Sequence, residues 1–94
     1  MSDIHKGCLV ESIAGRDKGK LFLVVGLSQE RASIVDGDLR KTSKPKLKNL
    51  KHLRFVSDNM NQRVLNKIET DTKLEDAEVR KALRLFLSEE VNDG

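Results

Sequence analysis

Seven cations fall within fifteen residues: Arg40, Lys41, Lys44, Lys46, Lys48, Lys51 and Arg54, with no carboxylate among them. His52 adds a further possible donor. A run of that density repels itself unless a polyanion neutralises it, so the chemistry it points to is phosphate binding. A smaller set, Arg16, Lys18 and Lys20, stands against the one acid of its stretch, Asp17, in Gly15-Arg16-Asp17-Lys18-Gly19-Lys20. Leu47, Leu50 and Leu53 are interspersed with the larger set, so part of it should lay its aliphatic stems over apolar surface. The cations are therefore read as a group rather than one by one.

Other chemistry finds little support. His5 and His52 lie far apart, and no Cys/His spacing suits a zinc site. Gly15 to Lys20 is bounded by glycines but is not a phosphate-binding P-loop, since no Ser or Thr follows Lys20 and no helical pattern follows the loop. Glu89-Glu90 reads as a solvated helix end, and Asp36 and Asp38 as turn residues. Cys8 is the only cysteine and sits in an apolar strand, so a buried, unreactive thiol is expected and no internal disulfide is possible. The expectation is a non-enzymatic protein with no metal and no cofactor.

The charge is divided along the chain. Residues 1–56 hold twelve Lys/Arg against six Asp/Glu, a net +6, and residues 57–94 hold six against nine, a net −3. The basic part suits a polyanion, and the acidic tail suits another task, such as contact with a protein partner. Aromatic residues make up 3% of the chain, with no Trp or Tyr, and Phe22, Phe55 and Phe86 all occupy positions expected to be buried. Readers of single strands stack bases on exposed rings, so structured RNA or duplex, held by phosphate and shape contacts, is the better match. The N-terminal residues lack the apolar core of a signal peptide and no stretch is long and apolar enough for a membrane span, so a cytoplasmic protein is expected.

The elements that would hold these cations can be read next. Cys8 to Ile13 and Leu21 to Val25 flank the Gly15–Lys20 turn, a hairpin whose glycines Gly15 and Gly19 supply unusual backbone angles and whose charged tip should stay in water. Ala32 to Val35 reads as a third strand, Asp36-Gly37 as a two-residue turn, Leu39-Arg40 as a short return strand ended by Lys44-Pro45-Lys46, and Leu50 to Val56 as the last strand. Five short strands at this spacing predict a small five-stranded β-barrel over residues 1–56. Leu21 to Val25 is apolar at every position, which requires a cover on its outer side. Residues 57–94 supply a candidate: Met60, Val64, Leu65 and Ile68 fall at helical spacing, and Val79, Ala82, Leu83, Phe86 and Leu87 do so more clearly. The second helix can start at Glu75, with a Leu74 to Val79 staple, or about three residues earlier through a Thr72-x-x-Glu75 box. Asn92-Asp93-Gly94 should fray.

Gly7 to Val25 resembles the KOW motif of ribosomal proteins and transcription elongation factors, with Gly19 at the motif's characteristic glycine and Ser12 where many such motifs carry an apolar residue. Ile34-Val35-Asp36-Gly37 and Lys44-Pro45-Lys46-Leu47-Lys48 extend the likeness to the small bacterial proteins similar to archaeal and eukaryotic ribosomal protein L-fourteen-e, over roughly residues 5–56. The resemblance implies an SH3-like barrel and ribosomal-RNA binding, with Gly15 to Lys20 on the RNA-facing surface. A protein-interaction module that docks on a transcription or translation factor, as KOW domains of NusG-type factors do, is the alternative.

Overall fold

The computed structural model of the chain describes residues 3–58 and 61–92, with side chains as far as Ser88. Five strands, β1 (Leu9–Ser12), β2 (Leu21–Leu27), β3 (Arg31–Val35), β4 (Lys46–Asn49) and β5 (Leu53–Ser57), precede two helices, α1 (Gln62–Glu69) and α2 (Asp76–Asn92). The strands form one antiparallel sheet in the order β4-β3-β2-β1-β5. The sheet is open: β4 and β5 are its edges, linked in sequence by a single 3-10 turn, Leu50–His52. Register shifts at Leu9/Val10 against β5 and at Val24/Gly26 against β3 bend the sheet, as an extra residue on one strand does.

Both faces are buried, which is why β2 shows no alternation. Phe22 and Val24 point into one cluster with Ile4, Cys8, Val10, Ala32, Ile34 and Leu53. Leu23 points into another with Leu9, Val35 and the helical residues Val64, Ile68, Leu74, Val79, Ala82 and Leu83, while Leu21 and Val25 pack at its margin. The cover that the apolar run demands is thus supplied by α1 and α2. Phe22 is fully buried, and truncating such a ring costs about 3–5 kcal/mol. Gly7 sits where a side chain would strike Leu65 of α1 at 2.7 Å, so the first residues of the hairpin and α1 are in close contact.

The helix ends follow local chemistry. The side chain of Asn61 accepts a hydrogen bond from the Arg63 amide at 2.8 Å, capping α1. At the other end Asp71 takes the left-handed conformation, φ +56°, and the amides of Asp71 and Thr72 donate to the carbonyls of Ile68 and Lys67. That is the paired closing pattern in which glycine is the usual residue. Of the two starts readable for α2, the Glu75 one holds: its carbonyl accepts from the Val79 amide at 3.2 Å, and Glu78 reaches back to the Glu75 amide at 3.2 Å. Leu74 and Val79 are both buried in the same cluster, as a staple requires. Met60 and the Asp93-Gly94 end lie outside the described residues, as do the side chains of Glu89 and Glu90.

Two strand assignments need correction. Leu39-Arg40 is not a strand, and Asp36-Gly37 is not a two-residue hairpin; β3 and β4 are joined by residues 36–45, and the return strand is Lys46–Asn49. Gly37 is left-handed, φ +77°, but Asp36 is not. Instead the Asp36 carboxylate accepts from the amides of Asp38 and Arg40, each at 2.9 Å, and the Asp36 amide donates to the Arg40 carbonyl. A side chain that captures amides two and four residues on makes a wider turn than a tight hairpin allows. Pro45 immediately precedes an edge strand, where its missing donor costs nothing. Leu50 likewise belongs to the 3-10 turn and not to the last strand.

Candidate nucleic-acid interface

The two basic stretches meet at Asp17. The hairpin tip is shaped by left-handed Gly15 (φ +79°) and Gly19 (φ +89°), with the Lys18 amide donating to the Gly15 carbonyl and the Lys20 amide to the Asp17 carbonyl. The Gly19 amide donates to the Ser12 carbonyl at 2.8 Å and closes the loop. Ser12 itself is fully buried, its hydroxyl donating to the Ala14 carbonyl at 2.9 Å, so the polar residue in the first strand is satisfied locally. The whole tip does not stay in water as its charge suggests. Asp17 is only 3% exposed, because Lys46 Nζ and Arg40 Nη2 bind its Oδ2 at 2.9 and 3.1 Å.

Those contacts fix the charge state of the clasp. The hydrogen bond from Lys46, with that from Arg40, holds the Asp17 carboxyl below its ordinary value against the opposing effect of burial. Two cations on one carboxylate leave a net positive charge. The clasp also ties the 36–45 connection to the hairpin tip, and Lys48 Nζ adds a bond to the Ala14 carbonyl at 2.8 Å. The Ile13 amide donates to the His52 carbonyl at 2.9 Å, bringing the 3-10 turn to the same side.

The cations expected to bind a ligand therefore divide. Arg40 and Lys46 are engaged with Asp17; Lys48 is buried, at 8% exposure, with its ammonium on a backbone carbonyl. Arg54 pairs with Glu11, its direct cross-strand neighbour, through Nε at 2.9 Å and through Nη2. Arg16, Lys18, Lys20, Lys41, Lys44 and Lys51 are exposed, and their side chains make no hydrogen bond or ion pair among the described residues. Six cations thus remain available, three from the hairpin tip and three from the longer run.

A second support comes from α2. Asp76 Oδ1 accepts from the Thr42 amide at 2.7 Å, and Arg80 Nη1 donates to the Gly37 carbonyl at 2.6 Å. The Thr42 amide draws the Asp76 carboxyl below its usual range, with Lys41 and Arg80 contributing. A side chain at position 37 would strike the Asp76 backbone carbonyl, so the glycine permits this docking as well as the turn. Asp76 and Arg80 gave no signal in the sequence, lying far along the chain from the residues they hold. Asp17 did give one: it is the lone carboxylate in the hairpin tip of a chain whose densest cationic run has none.

Cys8 is fully buried, and burial pushes its thiol pKa up, as an inert structural cysteine requires. No helix among the described residues is long and apolar enough to cross a membrane. No protein-family model matches the chain, and no curated protein matches it.

Proposed function

We propose that the protein is a non-enzymatic, cytoplasmic RNA-binding module of the KOW type, its sheet a form of the SH3-like barrel, and that it associates with the ribosome by gripping structured RNA. The observation that carries this reading is the group of six uncommitted cations on two loops and a turn that are pinned together around Asp17. Phosphate contacts dominate this mode of binding, and base stacking on aromatic rings is secondary: Phe22 is fully buried, while Phe55 and Phe86 pack against the two cores.

The test is affinity for fragments of ribosomal RNA across a salt series, paired with ribosome co-sedimentation. Log affinity should fall linearly with log salt, and each phosphate contact removed by mutation should lower the slope by roughly 0.7–0.9. Affinity that is insensitive to salt would refute the reading. A second reading, docking on a translation or transcription factor, is favoured by one observation: Leu85 and Leu87 of α2 are about half exposed. Recovery of the same protein partner after RNA digestion would support it, and loss of all partners on digestion would support RNA.

A further inference from the structure

The connection between β3 and β4 borders a groove of about 480 Å³ lined by Leu39, Arg40, Lys41, Lys44, Pro45 and Lys46. That volume is in the range of small-ligand sites, about 300–1,000 Å³. Its lining is of three kinds. Leu39 is 67% exposed and Pro45 is exposed, giving apolar surface that packs on neither core cluster. Arg40 is anchored through Nη2 by Asp17, so its planar guanidinium is held in place, and its buried Nε has no acceptor among the described residues. Lys41 and Lys44 are exposed and uncommitted. Apolar contact, a fixed cationic plane and two cations together match the parts of a nucleotide: a base that stacks on an apolar or guanidinium surface, and a phosphate.

We propose that this groove receives one unpaired nucleotide of the bound RNA, its base against Leu39, Pro45 and the guanidinium of Arg40 and its phosphate near Lys41 and Lys44. The proposal rests on the RNA-binding reading and adds to it a local preference for extruded bases. In a chain with no Trp or Tyr and with its phenylalanines packed on the two cores, the anchored guanidinium takes over the stacking role. The clasp to Asp17 then has a second purpose, because a guanidinium held by a carboxylate presents a flat face at no further ordering cost.

The experiment compares two RNA stems of equal length and phosphate content, one with a single bulged nucleotide and one fully paired, against the full chain. The bulged stem should bind about tenfold more tightly, toward the low end of what a stacked base contributes, with parallel salt slopes. Leu39→Ser should abolish that preference, while Leu47→Ser, an equally exposed leucine outside the groove, should leave it unchanged. Equal affinity for the two stems, or a preference that survives Leu39→Ser, would overturn the groove while leaving RNA binding intact. Failure to bind either stem would overturn both.

Discussion

The hairpin tip and the Arg40–Arg54 run contain very different numbers of cations, three against seven, yet each offers three uncommitted ones. The tip keeps Arg16, Lys18 and Lys20 because its only acid is turned inward and neutralised by the other region. The run keeps Lys41, Lys44 and Lys51 because Arg40, Lys46, Lys48 and Arg54 are used to hold the sheet edge, the tip and β1. Density of charge along a chain is therefore a poor guide to charge available at its surface. What counts is where the carboxylates and carbonyls end up.

The largest effect is expected when one available cation from each region is reversed together. Lys18→Glu with Lys44→Glu should lower RNA affinity on the order of a hundredfold at low salt, measured by fluorescence anisotropy, if both regions face one ligand. An effect no larger than that of either single change would show that only one region binds.

Next comes the clasp. Asp17→Asn leaves Arg40 and Lys46 without their counter-charge and should cost about 1–3 kcal/mol in urea unfolding. It should also change the acid response. The folded-state carboxyl lies below its ordinary 3.8, so its contribution is complete above that value and is lost as pH falls through the depressed folded value. Stability of the parent should therefore decline in that acid window more steeply than that of Asp17→Asn.

A sharper division of the run compares Lys48→Met with Lys51→Ala. The first removes a bond to the Ala14 carbonyl and should cost about 1 kcal/mol of stability without altering the salt slope of RNA binding. The second should leave stability unchanged and lower the slope by roughly 0.7–0.9. A reversed pattern would return Lys48 to the interface. The smallest effect is expected from Asp76→Ala: faster amide exchange at Thr42, with a several-fold loss of RNA affinity and the sheet intact, read by hydrogen exchange.

Local features were legible in advance. The unbroken apolar run of β2 required two buried faces, the glycines at 15 and 19 set the hairpin, and Leu74, Glu75 and Val79 marked one of the two starts open to α2, because each depends on neighbours within a few residues. The β3–β4 connection was misread for the opposite reason. Asp-Gly favours a tight turn in isolation, but the Asp36 carboxylate captures the Arg40 amide, and α2 docks on Gly37, so distant packing selects a longer loop. The division of the cations was likewise hidden, since the pairing of four strands, β1 to β4, is what brings Asp17 to Arg40 and Lys46. The end of α1 at Asp71 carried no glycine to announce it.

The bonds from Asp76 to Thr42 and from Arg80 to Gly37 bridge 34 and 43 residues of chain. Closing segments of that length has an entropic cost that must be met before the contacts contribute. During synthesis from the N-terminus, the hairpin and its three cations can be in place while the β3–β4 loop still waits for α2. That loop gains its last two supports, from Asp76 and Arg80, only once α2 has been made.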